Sequence, residues 1–425
     1  MKKRECSSRV EDIYTIIYRY LGSIVDAIEK GILDVEVYTR FLQHLYPRSS
    51  KNELLEIVSA HISLQILMEV ILGRYVGGYS DIDSICYGDG LERYGVSLDL
   101  LRWRSILDGY DLFERICRDL VKEVADIDAS EIAFGDLLDR LYSRLVGKRS
   151  RYYSGEYYTP PWVANIAIDR VNIYSGGLVN KVAADPACGS GIFLAQMLRA
   201  RISMGEDPFK AFQNIWGIDI NPIAVIISRA RMLVAFKTLT GLDPREPPRI
   251  FLGDFIGSIT EYIESLHSYR AQNILWLSEN QKIKGKGVGM ADIVVTNPPW
   301  LELNELPRNP WGMHVRRYVR DSIIRSCGDK IPSLSRAAWK GDLSAVFLDL
   351  SLRLVGRGGV IGILLPANQS YSGSPSPHGA GKLLTLAVIK RWGASGEILY
   401  LGDVFGHGIH ASLAVLRRGL DLPEC

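Results

Sequence analysis

The feature that most constrains this chain is a rhythm that begins after Lys148. Short β-branched runs at 182–185, 215–220, 249–253, 292–296 and 359–365 alternate with stretches of helical periodicity. Alternation of this kind is the signature of βαβ units, so these residues predict a largely parallel sheet covered by helices on both faces. Two further runs, 397–401 and 412–416, flank a Gly-rich connection and predict an antiparallel pair, which brings the sheet to seven strands. The first two candidate strands end at Asp185 and Asp219, 34 residues apart, and Asp254 follows 35 residues later. That interval suits a strand, a loop, a helix and a return loop. The expected fold class is α/β, a seven-stranded, mostly parallel, doubly wound sheet. Such sheets bind their ligands in the crevice outside the carboxyl ends of the strands.

Before the rhythm starts, apolar residues from Val10 to about Leu145 recur at helical spacing, as in Ile13, Ile16, Ile17, Tyr20, Leu21, Ile24 and Ile28. At 425 residues the chain suits two units, an N-terminal α-helical domain at 1–147 and the sheet domain at 148–425. Fifty basic residues against 48 acidic leave a formal charge of +2, so nucleic-acid binding has to rest on local patches. Two such patches are Lys148, Arg149 and Arg151, and Arg316, Arg317, Arg320 and Arg325. The run 281–289, rich in Lys and Gly, reads as a loop inserted before the fourth strand. Six cysteines without a CxxC pair or regular spacing argue against a zinc site and a disulfide framework and for a reducing cytoplasm. The most apolar run, Ile62 to Leu72, is broken by Gln65 and Glu69 and is too short to span a bilayer, so no membrane segment is expected.

The segment Asp185-Pro186-Ala187-Cys188-Gly189-Ser190-Gly191 joins the first strand to an apolar helix. Its glycines permit close backbone approach, and the N–H groups at the helix start suit a carboxylate or phosphate. The segment lacks the Gly-Lys-Ser/Thr ending of a P-loop, and Leu194 stands where the dinucleotide fingerprint has its third glycine. Asp219 is placed to accept from both ribose hydroxyls of a nucleoside. Asp254 is placed to accept from an adenine amino group, with Phe255 as an apolar wall. Cys188 reads as a packing residue, and His407 and His410 as part of a hairpin loop; no metal is expected.

The fourth strand runs into Asn297-Pro298-Pro299-Trp300. The nitrogen of an aromatic amino group is a poor nucleophile because its lone pair is delocalised into the ring. Two fixed acceptors, the Asn297 side-chain oxygen and the Pro298 carbonyl, would localise that lone pair towards an electrophile. The prolines stiffen the turn beforehand, and Trp300 offers a flat face for a base.

Together, Gly155-Glu156-Tyr157-Tyr158-Thr159-Pro160, Asp185 to Gly191, Asp219, Asp254 and Asn297 to Trp300 resemble the amino-adenine DNA methyltransferases of restriction-modification and phage-defence systems. The resemblance covers about 142–418 and implies S-adenosylmethionine as cofactor. It also implies double-stranded DNA with a flipped-out adenine as substrate, and a role for Thr159 at the methionine end of the cofactor. Asp185, Ala187, Gly189, Gly191, Asp219, Asp254 and Phe255 are the other expected cofactor contacts, and Asn297, Pro298, Pro299 and Trp300 the expected catalytic set. In that family a target-recognition domain follows the sheet. Here the sequence stops soon after the seventh strand, so a separate specificity subunit or a further domain is expected to choose the site. No Pro-Asp and Glu-x-Lys nuclease cluster stands out in the first 150 residues. The same loop chemistry also suits an RNA base or a glutamine side chain, and an inactive cofactor-binding scaffold is the remaining alternative.

Overall fold

The computed structural model describes residues 2–31, 35–87, 90–96, 111–146, 157–257, 291–328, 333–370, 382–406 and 408–419. Its centre is a seven-stranded sheet in the order β3-β2-β1-β4-β5-β7-β6. The strands are β1 (Ala183–Asp185), β2 (Ile215–Asp219), β3 (Arg249–Leu252), β4 (Ile293–Thr296), β5 (Val360–Pro366), β6 (Ser395–Asp403) and β7 (His410–Arg417). β1 to β5 run parallel, and β7 inserts antiparallel between β5 and β6. The chain winds outward from β1 through β2 to β3, then returns to β4 on the other side of β1. This reversal is the switch point at which doubly wound sheets open a ligand crevice.

Alternation along the strands divides the interior into two layers, because successive side chains leave a strand on opposite faces. Ile293 and Val295 face one core and Val294 the other; Leu413 and Val415 oppose Ala414 and Leu416 in the same way. On the first face lie α5 (Pro161–Ser175), α6 (Ile192–Ser203) and α7 (Pro222–Thr240); on the second lies α8 (Leu343–Leu354). Helices α1 (Lys2–Glu29), α2 (Lys51–Tyr75), α3 (Asp111–Val124) and α4 (Leu137–Leu145) form the expected N-terminal helical region. Their apolar residues, among them Ile17, Leu64 and Leu141, belong to the same continuous core as Val225 and Phe236 of α7. The helical region is thus welded to one face of the sheet.

Helix α2 starts with a capping box, in which the Ser50 hydroxyl accepts from the Glu53 N–H and the Glu53 carboxylate accepts from the Ser50 N–H. By length and composition α2 would cross a bilayer, but 94% of its apolar window is buried inside the fold, as the central helix of the bundle. The expectation of no disulfide is overturned: Cys86 and Cys117 are bonded, with Cα atoms 5.9 Å apart. They lie 31 residues apart in sequence and match no spacing pattern; tertiary packing alone brings the helix Ile82–Tyr87 against α3. The cysteine pattern therefore gives no argument for a reducing compartment. Cross-linking a loop of this length stabilises by about 2–4 kcal/mol. Cys86→Ser is accordingly expected to lower the midpoint of non-reducing thermal unfolding, and adding reductant to shift the wild type further than the variant.

Candidate active site

Because β1 to β4 are parallel and in register, Asp185, Asp219, Asp254 and Asn297 all emerge at one edge of the sheet. The turn after β1 is shaped by Gly189 and Gly191, both at positive φ, and two of its backbone N–H groups fix it to β2. The Cys188 N–H donates to the Ile218 carbonyl at 3.0 Å, and the Gly189 N–H donates to the Asp219 carboxylate at 2.8 Å. The other Asp219 oxygen accepts from the Asn221 N–H at 2.8 Å. The Asp219 carboxylate thus ties the turn after β1 to the start of α7.

A Cβ placed on Gly189 would meet nothing within 4 Å, so the turn opens onto space there. At Gly191 the requirement is different, because a Cβ would lie 2.3 Å from the Ser228 Oγ and 3.1 Å from the Ser228 Cα. This glycine is demanded by α7 packing beneath the turn as well as by its own φ of +84°. Cys188 is buried with its thiol pushed well up by that burial, which suits a protonated packing side chain. Gly217 makes room for it, since a Cβ there would sit 3.0 Å from the Cys188 Cβ.

Asp185 is 1% exposed; Oδ1 accepts from the Ala187 N–H at 3.1 Å, and Oδ2 has no partner among the described residues. Burial pushes its carboxyl up to about 7, and burial does the same to Asp342, which caps the start of α8. Both groups hold a proton more tightly folded than unfolded, where a carboxyl titrates near 3.8. Their contribution to stability is therefore present at acid pH and lost as pH rises through about 7. Thermal unfolding of the cofactor-free chain is expected to show a midpoint that falls from pH 4 to pH 7, and Asp185→Asn should flatten that slope.

Asp254 caps a short turn, accepting from the N–H groups of Ile256 and Gly257, each at 3.1 Å. Burial raises its carboxyl, although those two N–H donors oppose the rise. Phe255 is buried against Phe347, with ring centres 5.4 Å apart, and its ring belongs to the core of the second face.

The loop after β4 is held by a contact that the sequence does not announce. The two N–H groups of the Asn297 amide donate to the Tyr157 carbonyl at 2.9 Å and to the Thr159 hydroxyl at 3.1 Å. This fixes which way the amide faces. Its oxygen, Oδ1, is buried and has no donor among the described residues. Pro298 is buried and Pro299 half-buried beside it. Trp300 is only 7% exposed, packed by Tyr157 at 5.4 Å and edge-on by Phe405 at 5.0 Å. Phe405 stands on the connection between β6 and β7, a position with no local sequence signal. A base that stacks on Trp300 must first displace one of these neighbours.

Of the basic patches, Lys148, Arg149 and Arg151 lie outside the described residues, as do the 281–289 loop and His407. Arg316 donates to the Leu306 and Pro307 carbonyls, and Arg320 and Arg325 pair with Asp321. Arg316 therefore braces the loop beyond Trp300. His410 stacks on Tyr400, with ring centres 5.8 Å apart, at the start of β7.

Comparison with known proteins matches two stretches of this chain to described families. Residues 131–239 match the N-6 DNA Methylase model, and residues 213–376 match the Eco57I restriction-modification methylase model. The region similar to the N-6 DNA methylases is 131–239. That region holds Asp185, Gly189, Gly191 and Asp219, and the overlapping restriction-modification methylase match continues through Asn297 to Trp300. Among curated proteins, the Type II methyltransferase M.VspI of Vibrio sp. (strain 343) is 26% identical over 228 residues, which is 54% of this chain and 41% of that one. The adenine-specific methyltransferase PglX of Streptomyces coelicolor is 33% identical over 97 residues, 20% of this chain and 8% of its own. The DrdV–DNA complex superimposes with a TM-score of 0.62 at 12% identity, covering 98% of this chain and 42% of DrdV. The chain spans less than half the length of each of these relatives. The seven-stranded sheet agrees with what the strand rhythm predicts.

Proposed function

We propose that this chain transfers a methyl group from S-adenosylmethionine to the N6 amino group of adenine in DNA, within a cytoplasmic restriction-modification or defence system. The observation that carries the reading is the Asn297 oxygen. A buried acceptor without a donor costs stability, and such groups persist where a function uses them. Here the amide is turned so that its donors are spent on Tyr157 and Thr159 and its acceptor is left for a ligand. An amino group is the ligand that satisfies such an acceptor, and the Pro298 carbonyl is the natural partner for the second N–H. With both N–H groups held, the nitrogen lone pair is directed away from the ring. Trp300 supplies the apolar, aromatic face that a planar base needs once Tyr157 or Phe405 has moved aside.

The cofactor side fits S-adenosylmethionine by its donors and its space. Asp185, with one orphaned buried oxygen, suits the cationic end of an amino acid. Gly189 opens the turn that Ala187 and Gly191 shape beside it, Asp219 suits a ribose, and Asp254 with Phe255 closes the far end. Thr159 serves Asn297 through its oxygen and keeps its own O–H free to donate to the methionine carboxylate. When bound, S-adenosylmethionine supplies an electrophilic methyl group. Partners follow from this reading: double-stranded DNA with its target adenine flipped out, and a specificity subunit or further domain that reads the sequence. The test is transfer of labelled methyl groups to DNA, RNA and protein offered in parallel. Label in DNA supports the proposal, and label confined to RNA or to protein glutamine overturns it.

A further inference from the structure

Two buried polar links run from the helical region into the loops at the strand ends. The first centres on Asp139 of α4, which is 6% exposed. The Ser190 hydroxyl, on the turn between β1 and α6, donates to Asp139 Oδ1. Arg231 of α7, fully buried, donates to Oδ2 at 2.6 Å. The second link ends on Asn221, which caps the start of α7 two residues after Asp219. Its side-chain N–H groups donate to the hydroxyls of Tyr142 at 2.7 Å and Tyr46 at 3.2 Å.

We propose that Asp139 is a positioning residue for the cofactor turn, and that the helical region is in this way a structural part of the cofactor site. The proposal rests on the cofactor reading given above. Its physical basis is the softness of the turn. Residues 188–191 contain two glycines at positive φ, and the sheet holds them through the Cys188 and Gly189 N–H groups. Neither of these bonds restrains Ser190. A charged acceptor fixed from the other side completes the hold, since hydrogen bonds to charged groups are stronger than neutral ones. Arg231 makes the buried carboxylate tolerable, because an unpaired charge there would be strongly destabilising. The Asp139 carboxylate is thereby pinned between α7 and the turn. The Ser190 hydroxyl is spent inward and does not serve the ligand.

Substituting Asp139 itself would strand Arg231 in the interior, so Ser190→Ala is the cleaner probe. The measurements, all on the full chain, are the Kd for S-adenosylmethionine by calorimetry, kcat at saturating cofactor, and the Tm of the cofactor-free protein. Ser190→Ala is expected to weaken binding by about tenfold, the size of one hydrogen bond to a charged acceptor, with kcat and Tm close to wild type. Ser190→Thr, which keeps the hydroxyl, is expected to restore affinity. Tyr142→Phe, which removes the nearer of the two acceptors for Asn221, is expected to weaken binding in the same manner. Unchanged affinity in Ser190→Ala overturns the assignment, as does a loss of affinity matched by a fall in Tm. Should the wild type itself fail to bind S-adenosylmethionine, the proposed function falls and takes this inference with it.

Discussion

Replacing Asn297 with alanine is expected to lower kcat for methyl transfer by about 10²–10³, the usual loss when one preorganised polar partner of a transition state is removed. The Kd for S-adenosylmethionine should stay within about twofold, because the lost oxygen acts on the target amino group rather than on the cofactor. The structure adds a sharper control. Asn297→Asp retains an oxygen at the Oδ1 position but puts a second oxygen where the amide nitrogen now donates to the Tyr157 carbonyl and Thr159 hydroxyl. Two acceptors then face each other, so the aspartate is expected to be displaced and to lose most activity as well. Steady-state kinetics with saturating cofactor, alongside calorimetry, separate the two effects. Near-normal turnover by Asn297→Ala would remove the assigned role.

The second large effect is expected at Gly191. A valine there takes a φ of +84°, costing about 1–2 kcal/mol for a residue with a Cβ. It also drives that Cβ to 2.3 Å from the Ser228 Oγ, where overpacking adds about 1–3 kcal/mol. Gly191→Val should therefore lower the Tm by several degrees and abolish measurable cofactor binding together, since the turn and the start of α6 must move. The two causes separate in a double variant. Gly191→Ala combined with Ser228→Ala loses the Oγ clash and keeps the φ penalty, so part of the stability should return. Unchanged stability and affinity in Gly191→Val would contradict the packing account.

Much of the architecture is legible from periodicity alone. All seven strands fall within two residues of the runs that announce them, because alternating faces and β-branched composition are local properties. Strand order is another matter. That the last two strands pair is written in the Gly-rich connection, but β7 settling between β5 and β6 is decided by which strand covers the edge of β5.

At the site, Asn297 to Trp300 stands out because the acceptor chemistry is compact in sequence. Its support does not, for the Tyr157 carbonyl and Thr159 hydroxyl reach Asn297 across about 140 residues. Phe405, Asp139 and the Cys86–Cys117 bond are silent in the sequence for the same reason: each is one side chain whose meaning comes from a distant partner. Gly191 is legible as a glycine required for close approach, but the neighbour that requires it is Ser228 on α7. The arginines after Trp300 read as a basic patch, and within it Arg316 donates to the Leu306 and Pro307 carbonyls of the loop.

The central claim concerns one atom, the nitrogen that the Asn297 oxygen and Pro298 carbonyl would hold. The most direct measurement incubates the full chain with isotopically labelled S-adenosylmethionine and mixed-sequence double-stranded DNA, digests the DNA to nucleosides and identifies the labelled product by mass spectrometry. The account predicts label in N6-methyldeoxyadenosine, formed about 10²–10³ more slowly by the Asn297→Ala chain. Label on a ring carbon, on the cytosine amino group, or at wild-type level with the Asn297→Ala chain would contradict it.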